Sequence, residues 1–125
     1  MKLLMVDDDP LYRELLGSWL DRLAIPHDIV GSALEAMAKL RKDDYDGVFT
    51  DLFMPNISGI MLIEYVKNHY KMPIAVLTNF DQYELPFYHI THKYLKPNEF
   101  PDFIKVLKKS LPQWDYPEPN LTSYD

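Results

Sequence analysis

The chain contains no cysteine, so disulfides and thiolate metal sites are excluded, and a reducing cytoplasm is the expected compartment. Glycine is scarce, at four residues in 125. No apolar run approaches the about 18 residues that a membrane span needs. The chain starts on a strand-like segment, without the charged region, apolar stretch and cleavage site of a secretory leader, and none is expected. Basic residues are outnumbered, 13 to 19, leaving a net charge of −6. That balance argues against direct binding to nucleic acid, which needs lysine and arginine clusters facing phosphates. The nearest approach to a basic patch is Lys105, Lys108 and Lys109, which helical spacing reads as a solvated face.

What is present is a hydrophobic content of 47% and an aromatic content of 14%, enough for one packed domain. Short apolar segments alternate with amphipathic ones. Lys2–Val6, a weaker segment at 27–31, Gly47–Thr50, Pro73–Leu77 and Lys93–Leu95 read as strands. A helix is expected from Asp9-Pro10, with Asp9 as N-cap and Leu11, Leu15, Leu16, Trp19, Leu20 and Leu23 as its inner face. A second opens on the capping box Ser32-Ala33-Leu34-Glu35 and continues through Leu34, Met37, Ala38 and Leu40. A third runs from Gly59 to about Tyr70, with Met61, Leu62, Tyr65, Val66 and His69 inward. The last is capped by Asn98 and ends before Pro112. Strand–helix alternation repeated five times predicts a parallel sheet covered on both faces, with the fourth helix short or irregular because Pro86 interrupts it. The domain is expected over 1–111, and 112–125, with Pro117 and Pro119, reads as a tail or linker stub.

Four strand-like segments close on polar residues. The first closes on Asp7-Asp8-Asp9, the third on Asp51, the fourth on Thr78 and the fifth on Lys96. In an open parallel sheet, chemistry collects beyond the carboxyl ends of the strands. If strands one and three are neighbours, the carboxylates of Asp7, Asp8 and Asp51 converge, and they cannot share a small pocket without a cation or a proton. A hard divalent ion answers this, and Mg²⁺ suits few protein ligands and several waters. A carboxylate is a competent nucleophile toward phosphorus. Thr78 as a donor and Lys96 as a point charge would neutralise phosphoryl oxygens. Each residue alone has an ordinary structural explanation. At four strand ends of one domain, their coincidence points to phosphoryl chemistry on Asp51.

The stretches Leu3 to Pro10, Thr50 to Pro55 with Gly59, Ala75 to Thr78, and Tyr94 to Pro97 resemble bacterial two-component response-regulator receiver domains, in the same order and over residues 2 to about 111. The resemblance implies a flavodoxin-like (βα)5 doubly wound fold, α/β in class, with a five-stranded parallel sheet in the order 2-1-3-4-5. It implies Asp51 as phospho-acceptor. It implies Asp8 and Asp51 as direct Mg²⁺ ligands with the backbone carbonyl of Phe53, Asp7 acting through water or as a secondary ligand, and Thr78 and Lys96 as the phosphoryl-sensing pair. It further implies a histidine kinase or histidine phosphotransfer protein as donor. The output would be a changed surface of the fourth helix, fifth strand and fifth helix, read by a downstream protein partner, an output domain or a second copy in a homodimer. No membrane association is implied.

The chain departs from this pattern between Thr78 and Lys96, where the interval is short and crowded with Phe80, Tyr83, Phe87, Tyr88, His89 and His92. The residue three positions before the lysine, usually a switching aromatic, is Lys93; Tyr94 stands two before. Asn79 replaces the usual tiny residue. Phe53 and Phe80, two positions after Asp51 and Thr78, are expected to shield an aspartyl-phosphate from water. Two other readings remain open on sequence alone. A pseudo-receiver would bind a partner without phosphorylation. An Asp-nucleophile, Mg²⁺-dependent phosphohydrolase would place a second acid where Phe53 stands.

Overall fold

The computed structural model describes residues 1–79 and 92–113. Their strands are β1 (Leu3–Val6), β2 (His27–Val30), β3 (Gly47–Thr50), β4 (Ile74–Thr78) and β5 (Lys93–Leu95). The helices are α1 (Pro10–Arg22), α2 (Ala33–Lys42), α3 (Gly59–His69) and α4 (Phe100–Ser110). The expected fourth helix lies in 80–91, outside the described residues, so α4 is the helix that the sequence reading counts fifth. All five strands are parallel, in the order β2-β1-β3-β4-β5. This is the flavodoxin-like arrangement.

Strand alternation sorts the sheet into two faces. Leu3, Met5, Phe49, Ala75 and Leu77 face α1 and α4 and pack with Leu16, Trp19, Leu20, Phe103 and Leu107. Leu4, Val6, Val48 and Val76 face α2 and α3 and pack with Ala36, Leu40, Leu62, Ile63 and Val66. Both faces are covered, which explains why β1, β3 and β4 are buried at every position. Full burial of a leucine or phenylalanine side chain stabilises by about 1.5–3 kcal/mol, so these two layers carry most of the fold.

The helices begin and end where local chemistry requires. Asp9 caps α1 by accepting from Leu11 N, with Pro10 at the first helical position. Ser32 Oγ accepts from Glu35 N, while Glu35 Oε2 accepts from Gly31 N at 2.8 Å, a reciprocal box shifted one residue outward. Ser58 caps α3 by accepting from Met61 N. α4 differs from expectation: its N-cap position is Glu99, not Asn98, and no side chain caps it.

The helix faces match the sequence reading at Leu16, Trp19, Leu20, Leu23, Leu40, Leu62 and Val66, which are buried, and differ at single positions on their edges. Leu11 is 75% exposed, Leu34 59% and Met61 54%. His69 is exposed as well. Tyr12, Ala33 with Ala36, and Ile63 take the inward positions. Each helix carries apolar residues at adjacent positions, so periodicity leaves the edge of the face open by one residue, about 100°. Packing against the sheet sets it.

Candidate functional site

The hydrogen-bond ladder continues one residue past the strand ends and aligns the site. Asp7 N donates to Val30 O at 3.1 Å, Asp51 N to Val6 O at 2.9 Å, and Lys96 N to Thr78 O at 2.8 Å. The register Val6 with Thr50 makes Asp7 and Asp51 neighbours. By alternation Asp7 continues the row Leu3–Met5, Asp51 the row of Phe49, and Lys96 the row of Tyr94. All three rows face α1 and α4. Thr78, buried at 1% exposure, continues the opposite row of Ile74 and Val76.

Side chains close the arrangement. Lys96 Nζ lies 2.7 Å from Asp7 Oδ2 and 3.3 Å from Asp51 Oδ2, and its side chain is only 5% exposed. Asp7 Oδ1 accepts from Asp9 N at 2.9 Å, and Arg13 Nη1 donates to the Asp7 carbonyl at 2.8 Å. Asp51 Oδ1 accepts from Leu52 N at 2.8 Å, and Thr50 Oγ1 donates to the Asp51 carbonyl, also at 2.8 Å. Asp51 Oδ2 is therefore held toward Lys96. Asp8 turns outward and is exposed, yet one carboxylate oxygen each from Asp7, Asp8 and Asp51 lies within 4.8 Å of the others. The sequence-predicted Asp7, Asp8, Asp51 and Lys96 thus meet. Thr78 ends the strand between β3 and β5. Phe53 stands on the loop after β3 with its side chain 49% exposed.

Burial pushes the Asp51 carboxyl up to about 6; the charge of Asp7 adds to this, while Lys96 and the Leu52 N–H oppose it. Burial alone would weaken proton binding at Lys96, but the Asp7 hydrogen bond and the charges of Asp51 and Asp7 reverse the sign, so its ammonium is held more firmly than usual. One ammonium faces two buried carboxylates and a third at the rim. The donor set is all hard oxygen with a net negative balance, which fits a small divalent cation and leaves room for an incoming anion once the cation is bound.

Two residues escaped the sequence reading. Tyr12 and Arg13, on the first turn of α1, both touch the site. The signal for Tyr12 was the spacing Tyr12, Leu16, Trp19, Leu20 and Leu23, which is as regular as the row starting at Leu11. Tyr94, the displaced aromatic, is half-buried against the α1/α4 face, and its hydroxyl lies 3.0 Å from His92 Nδ1. Phe80 lies outside the described residues.

Residues 3–92 match the family model described as response regulator receiver domain. The transcriptional regulatory protein BtsR of Salmonella typhimurium is 34% identical over 116 residues, which is 89% of this chain and 46% of that protein. The response regulator protein PilR of Pseudomonas aeruginosa is 35% identical over 78 residues, 62% of this chain and 18% of that protein. The chain therefore spans less than half of these curated relatives. Among solved structures, the response regulator protein TrrA of Thermotoga maritima in complex with Mg²⁺-BeF has a TM-score of 0.78 at 29% identity, covering 88% of this chain and 98% of that one. The same regulator in complex with the histidine kinase ThkA gives 0.78 at 28% identity, with 88% and 97% covered. CheY4, a chemotaxis protein of Vibrio cholerae, gives 0.77 at 26% identity, with 88% and 98% covered. Fold, aligned strand ends and family match agree: the chain belongs to the response-regulator receiver domains of two-component systems, which are signalling switches and not enzymes.

Proposed function

We propose that this receiver is the phosphoryl-accepting switch of a two-component phosphorelay, with Asp51 as acceptor. The observation that carries the reading is Lys96 Nζ seated between two buried carboxylates at 2.7 and 3.3 Å. Asp51 Oδ2 would attack the phosphorus of a phosphohistidine on a histidine kinase or phosphotransfer protein. The P–N bond breaks as the new O–P bond forms, and the histidine leaves as neutral imidazole, its other ring nitrogen keeping the proton it already carried. The ladder bond from Asp51 N and the contact of Oδ1 with Leu52 N hold the nucleophile still. Lys96 offers its charge to one phosphoryl oxygen, and the Thr78 hydroxyl is the proposed donor to another.

Asp7, Asp8, Asp51 and the backbone carbonyl of Phe53 are the proposed holders of Mg²⁺. Bound there, the ion would neutralise the carboxylates and polarise the phosphoryl oxygens. Mg²⁺ at a hundredfold excess over its dissociation constant should then stabilise the protein by about 2.7 kcal/mol, raising the melting temperature by on the order of 10 °C. Scanning calorimetry with Mg²⁺ against an equal ionic strength of Na⁺ measures this. Equal melting temperatures in the two salts would remove the metal from the reading.

The decisive experiment is intact mass after incubation with a small acyl phosphate. One phosphoryl group should be gained, only with Mg²⁺. No gain would favour a pseudo-receiver that acts by binding alone. The phosphohydrolase reading lacks support, because position 53 carries an exposed phenylalanine and no second acid. The exposed Phe53 ring, two positions after Asp51, is proposed to shield the phosphoryl group from water. Phe53→Ala should shorten the lifetime of the aspartyl-phosphate several-fold, measured as decay of the added mass; equal or slower decay in the variant would sink the shielding role.

The signal is proposed to leave through β5, α4 and the segment 80–91, toward a downstream protein, an output domain or a second copy. Residues 1–111 are the proposed switch unit and 112–125 its tail. The proposed compartment is the cytoplasm, where kinases draw on ATP. Among the described residues no helix is long and apolar enough to cross a membrane.

A further inference from the structure

Tyr12 belongs neither to the acids nor to the threonine–lysine pair, yet it touches the centre of the site. It is 8% exposed, on the first turn of α1. Its hydroxyl donates to the Pro97 carbonyl at 2.8 Å, across 85 residues of sequence. Lys96 Nζ lies 4.7 Å from the centre of its ring. Behind it, Trp19 meets the ring edge-on at 6.4 Å and 89°, and Trp19 stacks on Phe103 at 5.0 Å and 26°. The ring is therefore backed by α1 and, through Trp19, by α4.

A lysine side chain loses most of its rotamer freedom when it is fixed in one geometry, and contacts must offset that loss. Two carboxylates supply charge for that, but they also draw the ammonium in two directions, 2.7 Å to Asp7 and 3.3 Å to Asp51. The ring face under the ammonium adds a third attraction, that of a cation over an aromatic face in a desolvated setting. The hydroxyl adds a second constraint, on the backbone that carries the lysine. An aliphatic residue at position 12 would fill the core and supply neither.

We propose that Tyr12 is a positioning residue for phosphoryl transfer: its ring holds the Lys96 ammonium between Asp7 and Asp51, and its hydroxyl ties the Lys96–Pro97 loop to α1. The inference rests on Asp51 being the phospho-acceptor. Tyr12 acts only through Lys96 and touches no phosphoryl group.

Two variants separate its two contacts. Tyr12→Phe keeps the ring and loses the hydroxyl, and should slow acyl-phosphate phosphorylation about threefold; Tyr12→Leu loses both and should slow it about tenfold. Both rates are compared at saturating Mg²⁺, so that a change in metal affinity does not enter them. In a Lys96→Ala background, Tyr12→Leu should have no further effect on the residual rate, because the residue through which it acts is gone. A second reading needs no phosphorylation. In protein labelled with ¹⁵N at lysine, the Lys96 ammonium should give a proton-detected signal in wild type and Tyr12→Phe, and exchange-broaden beyond detection in Tyr12→Leu. If wild type gains no phosphoryl group, the acceptor reading fails while the ammonium signal still decides whether Tyr12 holds Lys96. A wild-type rate and an intact signal in Tyr12→Leu overturn the proposal, as does an additive effect in the Lys96→Ala background, which would mark a packing role. Should Tyr12→Leu not fold, Tyr12→Phe decides: an unchanged rate overturns the hydroxyl tie and with it the proposal.

Discussion

Asp51→Asn is expected to abolish phosphoryl gain and at the same time to stabilise the metal-free protein. The first effect follows from the chemistry, since an amide is not a competent nucleophile toward phosphorus under these conditions. The second follows from burial. Asp51 is 8% exposed and lies beside the buried Asp7. In the fold its carboxyl binds a proton with a pKa of about 6, against 3.8 for the ordinary group. A raised pKa favours the protonated native state, so this contribution is fully present below about pH 4 and lost as pH rises through about 6. At neutral pH the ionised carboxylate therefore costs the fold about 3 kcal/mol relative to its neutral form. Asparagine is neutral at every pH, keeps an oxygen to accept from Leu52 N, and leaves Lys96 paired with Asp7. Urea unfolding without metal should show the variant more stable by about 2–3 kcal/mol at pH 7.5, with the difference closing toward pH 4. A variant less stable than wild type at pH 7.5 would mean that the Lys96 pair outweighs burial at Asp51. Mg²⁺ should narrow the gap from the other side, because it binds more tightly to the chain that keeps the carboxylate.

Gly59→Ala is expected to be among the most damaging single-methyl changes in the chain. A Cβ on Gly59 would sit 2.0 Å from the carbonyl oxygen of Asp51 and 2.9 Å from Leu52 Cα. These are backbone atoms with no rotamer to yield. The Asp51 carbonyl accepts from Thr50 Oγ1, and Leu52 O accepts from Gly59 N, both at 2.8 Å, so the loop is fastened where the methyl would enter. Something must move, and the residue that moves is the proposed acceptor. Overpacking against yielding side chains costs about 1–3 kcal/mol; against pinned backbone we expect about 3 kcal/mol or more. Gly17→Ala is the control. Its Cβ would meet only the end of the Ile29 side chain at 3.4 Å. The exchange inside α1 should be neutral or stabilising by up to about 1 kcal/mol. Chemical unfolding of both variants checks this, and a Gly59→Ala protein within experimental error of wild type would overturn it.

Much of the site was legible because its parts sit at punctuation marks. A short apolar run that stops on an acid, a hydroxyl or a lysine is visible in one dimension, and a parallel sheet brings such stops to one edge by construction. Helix starts were legible where a side chain supplies the missing acceptor, as with Asp9 and Ser32. Where no side chain does so, at α4, the boundary fell one residue from expectation. The edges of the helix faces were less legible than their centres, which are buried as read at Leu16, Trp19, Leu20, Leu62 and Val66. Leu11 and Tyr12 are neighbouring candidates for one inward position at the start of α1, and only the opposing sheet selects between them.

By itself the sequence determined the order of elements, the absence of disulfide chemistry and of a membrane-length helix among the described residues, and the residue types available at the strand ends. Only the tertiary structure decided on which face those residues act. Register and alternation send Asp7, Asp51 and Lys96 to the α1/α4 side, where burial raises the proton affinity of Asp51 and Tyr12 lies under the lysine. The physical reason is that charge proximity and desolvation depend on distance in space, and residues 12, 51 and 96 come within reach only when the sheet is assembled.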